Sequence, residues 1–403
     1  MVTQPRPADL RGLNRLVFAG IAGLVDLVES VHLNISSLPG IVGGLRRGKT
    51  SGMTGLVYRS IHGTAAMVEY GLDRLLAGLA PLLGESSGWP GREASLSALN
   101  GVLGDYLAAS GSPFAIPMSL RQEGHALPTP ATALRNAMPS ATNKVVVLVH
   151  GLCMNDLQWH RNGHDHCAAL ARDLGYTPIY LHYNSGRHIS TNGRELSELI
   201  QSLVDAWPVS LNEVTVIGHS MGGLLARSAC HYADAAGHTW RQRLSALICL
   251  GSPHHGAPLE RGGHWVDVIL GISPYTAPFA RLGKIRSAGI TDLRYGNLVD
   301  EDWEGRDRFD RSPDRRHPVR LPENVRCYAV AATLAKRESR GRRGPIGDGV
   351  VPVDSALGRH DDARLCVAFP QSRQWIGYAM NHLDLLSRRE VYAQIRQWLS
   401  SPA

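Results

Sequence analysis

The sequence predicts an α/β fold, a mainly parallel sheet with helices on both faces, preceded by a helical N-terminal extension. Three observations point there. From Lys144 onward, short β-branched runs alternate regularly with stretches of helical period, the pattern of strand–helix–strand units. One of those runs, Glu213–Ile217, turns through Gly218-His219-Ser220-Met221-Gly222 straight into the helical pattern Met221–Ala236. Ahead of Phe114, by contrast, apolar residues recur at helical spacing only. The organisation expected is an extension and linker over 1–112 and an α/β domain over 113–403, with a cap-like insertion at about 257–297.

In the extension, residues 10–35 carry apolar groups at Leu13, Val17, Ile21, Leu24, Val28, Val31 and Ile35, and residues 56–83 at Ile61, Val68, Leu72, Leu75, Leu76 and Leu79. Acidic Asp26, Glu29, Glu69 and Asp73 favour a packed helical hairpin over a membrane-facing surface. Between these helices Gly43-Gly44-Leu45-Arg46-Arg47-Gly48-Lys49-Thr50 spells a phosphate-cradling loop. It lacks the strand before and the helix directly after that such a loop needs, so no nucleotide is expected. Residues 84–112 read as a linker containing a helix over Leu96–Leu107, and Phe114–Leu127 as a β-hairpin turning near Gly124.

Further strands are expected at Lys144–Val149, Thr177–Tyr183, Glu213–Ile217, Leu244–Leu250, Val325–Ala331 and Arg364–Phe369. Helices are expected at Gln158–Leu174, Gly193–Trp207, Met221–Ala236 and Leu383–Leu399. Ligands of such sheets bind at the carboxyl ends of the strands.

Composition narrows the function classes. At 403 residues the chain holds one large domain plus a substantial extra element, taking about 150 residues per domain. A hydrophobic content of 43% excludes a chain dominated by disorder. The charge of +7 comes largely from short Arg-rich loops such as 337–343, which are solvated, and no nucleic-acid-binding signature accompanies it. Nucleic acid is therefore not an expected partner. Six cysteines in a chain of this size do not make a disulfide framework. Cys230, Cys249, Cys327 and Cys366 fall in apolar patterns where a thiol acts as a small hydrophobe, a usage that favours a reducing compartment. Arg6, Arg11 and Arg15 before the apolar run Leu16–Val25 imitate a secretory leader, but Asp26 and Glu29 follow at once with no convincing cleavage site. The run is also far too short to span a bilayer. A cytoplasmic location, compatible with peripheral membrane contact, is the expectation; no oligomeric state is specified.

A strand that turns sharply into a helix holds its turn residue in strained backbone and lifts the side chain clear at the positive helix end. Gly218 and Gly222 leave room for that approach, so Ser220 is the candidate nucleophile. These residues, with Gly251-Ser252-Pro253-His254-His255-Gly256, resemble the α/β-hydrolases, in the lipase and esterase branch that includes bacterial triacylglycerol lipases and inositol-deacylase-like proteins. The resemblance covers roughly residues 113–400. It implies a serine carboxylic-ester hydrolase working through an acyl-enzyme on a small-molecule or lipid ester, without cofactor. An acyltransferase using the same groups is the alternative within that chemistry. A lipid- or membrane-binding scaffold is the alternative outside it, disfavoured by the complete set of catalytic groups.

In this class an acid and then a histidine follow the serine. Asp348, in Gly347-Asp348-Gly349-Val350-Val351-Pro352, resembles the lipase acid loop, with Asp354, Asp361 and Asp362 as fallbacks. His382 stands where the family carries its base, immediately before the terminal helix; His360 lies before the last expected strand and is less favoured. The oxyanion donors implied are the amides of Met221 and of Leu152, in His150-Gly151-Leu152-Cys153. His160, His164, Asp165 and His166 lack a defined zinc ligand set, so no metal is expected. His254 and His255 are expected to line the pocket or brace their loop.

Overall fold

The computed structural model describes residues 92–256, 287–307, 313–336 and 347–400, together with helical positions between 9 and 70. The chain divides into two compact units, Met1–Arg92 with Ser110–Phe114, and Glu93–Ala109 with Ala115–Ala403. In the first, residues 11–19 and 58–63 are helical. Arg92 pairs with Asp9 at 2.6 Å, and Arg15 donates to the Gly111 carbonyl at 2.6 Å. Leu13, Val17 and Ile61, assigned by periodicity to apolar stripes, are 56%, 50% and 42% exposed. The phosphate-loop look-alike at 43–50, residues 257–286 of the expected cap and the Arg-rich loop at 337–343 lie outside the described residues.

The second unit is built on an eight-stranded sheet: β1 (Ser119–Gln122), β2 (His125–Ala126), β3 (Lys144–Val149), β4 (Thr177–His182), β5 (Glu213–His219), β6 (Leu244–Leu250), β7 (Arg326–Thr333) and β8 (Gln374–Tyr378). Their order across the sheet is β2-β1-β4-β3-β5-β6-β7-β8. β1 is antiparallel to β2 and β4, and the remaining pairs are parallel. The hairpin turns on Glu123 (φ 51°) and Gly124 (φ 78°), the two successive left-handed residues that a two-residue turn between twisted strands requires.

The central strands are apolar without alternation because both faces are covered. Val145, Val147 and Val149 of β3 enter one core with Val214 and Val216, whereas Val146 and Leu148 enter the other with Ile217. Over the first face lie α1 (Arg92–Ala109, through Val102), α4 (Ile189–Ala206) and α5 (Met221–Ala236). Over the second lie α3 (His166–Leu174) and, at the end of the chain, α8 (Arg389–Ser400). The short helices α2 (Ala131–Ala137), α6 (Ala288–Asp292) and α7 (Val353–Ala356) fill the connections.

Three expectations are corrected. The last strand is Gln374–Tyr378, not Arg364–Phe369. Val367 and Phe369 are buried, but as loop residues, with the Val367 amide bonded to the Gly358 carbonyl, while the polar, Gly-containing QWIGY segment pairs with β7 at the sheet edge. Cys366 is accordingly exposed; the other five cysteines are buried. The helix expected from Gln158 starts only at His166, where the Asp165 side chain caps the Cys167 and Ala168 amides. Asn162 and Gly163, both at positive φ, interrupt the pattern with a turn. Leu383–Leu399 likewise divides into a 3-10 turn, Asp384–Leu386, and α8.

Candidate active site

β5 delivers Ser220 into a backbone conformation (φ 54°, ψ −125°) that a side-chain-bearing residue rarely adopts. Its amide donates to the Leu250 carbonyl at 2.8 Å, which fixes the turn against the end of β6. The glycines are sterically required. A Cβ on Gly218 would come within 2.5 Å of the Gly222 backbone, and one on Gly222 within 2.1 Å of the Val149 carbonyl. Since φ > 0 at Ser220 is held by contacts of β3, β5 and β6, the strain is borne by the whole centre of the sheet.

Asp348 follows β7 and is 2% exposed. Its Oδ1 accepts the Val350 and Val351 amides at 2.9 and 2.8 Å, leaving Oδ2 to meet His382 Nδ1 at 2.7 Å. The His382 amide also donates to the Asp348 carbonyl at 3.1 Å, so side chain and backbone are bound to the same residue. Gly347 permits this tight loop, because a Cβ there would reach 1.8 Å from the Val351 carbonyl. His382 in turn abuts Gly251, where a Cβ would lie 3.2 Å from its ring. Ser220 and His382 thus meet the same Leu250–Gly251 segment, at the carboxyl end of the parallel strands. Three of the four fallback groups are occupied elsewhere. Asp354 pairs with Arg359, Asp362 with Arg364, and His360 Nδ1 takes the Asp362 amide.

The loop after β3 closes on the serine from the other side, with a Cβ on Gly151 reaching 3.0 Å from Ser220 Cβ. Leu152 follows directly, and Met221 opens α5, where the first amides have no intrahelical acceptor. His150 braces the loop. Its Nδ1 contacts the Gly151 carbonyl at 2.9 Å, its ring stacks on Tyr183 at 4.3 Å, and burial holds its pKa down to about 4. His254 and His255 are braces too, meeting Arg227 at 3.1 Å and Arg316 at 2.7 Å. His164 and His166 form a relay, 2.9 Å apart, that ends on the Leu385 carbonyl at 2.9 Å and supports the turn after His382.

Sequence reasoning missed the part played by α1. Cys153, at φ 61°, donates its amide to Ser185 Oγ at 3.0 Å and its thiol faces the Ala98 carbonyl at 3.8 Å. Gly101 lies so close that a Cβ would be 2.2 Å from Cys153 Sγ, and the Asn184 side chain donates to the Gly104 carbonyl at 2.8 Å. The segment read as linker therefore buttresses the loop that bears Leu152. Its signal was the small-residue spacing Ser97, Gly101, Gly104, which marks close helix approach instead of linker chemistry.

Residues 140–317 match the family model described as the PGAP1-like alpha/beta domain. The fold is that of the α/β-hydrolases. The matched span includes Leu152, Ser220 and Met221 and ends before Asp348 and His382. No curated protein matches the chain. Among solved structures it is similar to Bacillus licheniformis lipase BlEst2 in mature form, at 16% identity over 70% of this chain and 97% of that one, with a TM-score of 0.41. It is similar also to Aspergillus fumigatus lipase B, at 12% identity over 71% and 57%, TM-score 0.42. A third is the Pyrococcus furiosus esterase Pf2001, at 12% identity over 64% and 81%, TM-score 0.38. No helix among the described residues is long and apolar enough to cross a membrane.

Proposed function

We propose that this chain is a serine carboxylic-ester hydrolase acting on an apolar acyl ester through an acyl-enzyme. The observation that carries the reading is the convergence of a strained serine and a buried histidine–carboxylate pair on one segment, Leu250–Gly251. In this mechanism Ser220 Oγ attacks the ester carbonyl carbon while His382 takes its proton, and Asp348, still ionised, orients and stabilises the imidazolium. The amides of Leu152 and Met221 receive the negative charge on the carbonyl oxygen. Collapse breaks the bond to the alcohol, which leaves with the proton from His382. Water then repeats the sequence on the acyl-enzyme, giving its proton to His382 and releasing the acid and free Ser220.

The test is labelling with a fluorophosphonate, which needs an activated hydroxyl and an oxyanion site. Intact-mass analysis is expected to give one adduct on the wild type and none on Ser220→Ala. Equal labelling of the variant would overturn the assignment.

A further inference from the structure

We propose that His219, the variable residue of the G-x-S-x-G turn, is a positioning residue that ties the loop bearing His382 and the Gly151 loop to the serine. The inference rests on the reading of Ser220, Asp348 and His382 as a catalytic set. His219 is peptide-bonded to Ser220 and wholly buried. Its Nε2 meets the His382 carbonyl at 3.1 Å, and its ring lies 4.6 Å from the His382 ring at 45°. The Trp159 ring meets it edge-on at 6.3 Å. On the other side, a Cβ on Gly151 would lie 3.3 Å from His219 Nδ1.

A carbonyl only accepts, so Nε2 must carry the proton and Nδ1 stays bare, without a hydrogen-bond partner among the described residues. That arrangement holds only for a neutral ring. Burial, with His382, His150 and His166 the charged-form neighbours that face it, keeps its pKa well below the ordinary value. His382 is thereby anchored from two sides, its amide by Asp348 and its carbonyl by His219. Without the second anchor the base loop is free to turn about the first. A displacement of 1 Å between reacting groups costs about 100-fold in rate.

The experiment follows hydrolysis of a short p-nitrophenyl ester across pH with the full chain, its His219→Met variant and its His219→Gln variant. Methionine keeps the length and removes the donor, whereas glutamine keeps an N–H at the ε position. The expected result for His219→Met is a kcat lowered about 10- to 100-fold with KM within about twofold. Its acid limb in kcat/KM should move to lower pH, since a loosened imidazolium loses part of its carboxylate's support. A loss of folded fraction alone scales kcat and leaves that limb in place. His219→Gln is expected to recover most of the rate. Unchanged kcat in His219→Met, or equal impairment of both variants, would overturn the inference while leaving the catalytic set standing. A wild type that neither turns over ester nor accepts a fluorophosphonate would overturn both. Independently of any variant, long-range 15N–1H spectra of the wild type are expected to contain a buried imidazole protonated at Nε2 that is absent from His219→Gln. An Nδ1-protonated pattern for that ring would overturn the assignment.

Discussion

Among the described residues of the second unit, three histidines pair with an aspartate; His317, beside Asp302, is largely exposed, and the other two pairs differ in what surrounds them. His382 and Asp348 meet at 2.7 Å, with side chains 6% and 1% exposed. His188 and Asp292 meet at 3.1 Å, with side chains 18% and 1% exposed. By pair geometry alone both qualify as a base with its orienting acid. The first abuts Gly251, next to the Leu250 carbonyl that holds a serine at positive φ. In the second, the His188 ring is stacked on Trp303 at 3.8 Å and 6°. Asp292 also accepts the Ile189 amide at 2.8 Å, capping the first turn of α4 from another element. A histidine–carboxylate pair is a common structural device; the strained serine bonded to the neighbouring Leu250 carbonyl is what makes this one a candidate engine.

The largest expected effect separates the two pairs by kinetics. Asp348→Asn and His382→Ala should each lower kcat by about 10³- to 10⁴-fold, and the double variant should be little worse than either. His188→Ala should stay within about threefold of the wild type per folded molecule, because its work is done in packing. Steady-state rates normalised to the folded fraction, measured by circular dichroism, check this. Near wild-type turnover in Asp348→Asn would move the acid elsewhere, and a loss of orders of magnitude in His188→Ala would erase the distinction.

The first pair was legible in sequence because its residues belong to patterns with a backbone cause. Gly218 and Gly222 flank the serine since backbone passes within 2.5 Å on each side, and Gly347 flanks Asp348 for the same reason. The second pair carries no such mark, since Asp292 caps a helix that begins about a hundred residues earlier in the chain, a relation no local window contains. Likewise, the helix expected over Leu96–Leu107 reads as part of a linker because its contacts use Gly101 and Gly104 instead of an apolar stripe. The misassigned last strand has a related cause. Periodicity reports burial, and Val367 and Phe369 are buried without pairing in the sheet, whereas the true edge strand is only half-buried.

A second prediction concerns the braces around the first pair. Burial lowers His150, His166 and His255 to a pKa of about 4. The folded value lies below the unfolded one, so their stabilising contribution is present above about pH 6.5 and is lost as pH falls toward 4. Each such histidine should make the free energy of unfolding fall by about 1.4 kcal/mol per pH unit through that window. Urea unfolding at pH 7, 6 and 5 measures the slope, and His166→Gln should reduce it by about one proton. A slope unchanged by that substitution would mean that His166 is protonated in the folded state and that the relay to Leu385 is ionic.

The smallest effect is the sharpest test of what the second pair does. Burial pushes the Asp292 carboxyl above its ordinary pKa, against the hydrogen bonds from His188, Ile189 and Asn297 that pull it down. The charged form is therefore not what the fold favours there; the oxygen atoms are. Asp292→Asn keeps an acceptor for the Ile189 amide and removes the buried charge, so it should cost no more than about 1 kcal/mol of stability. Asp292→Ala leaves that buried amide and the His188 ring unpaired, and should cost about 1–3 kcal/mol. Both variants should keep kcat on a short ester near the wild-type value, since neither touches Ser220, Asp348 or His382. Chemical unfolding of the three proteins side by side checks the order. If Asp292→Asn proves as damaging as Asp292→Ala, the pair works through its charge after all, and the contrast with Asp348 narrows to the presence of Ser220 alone.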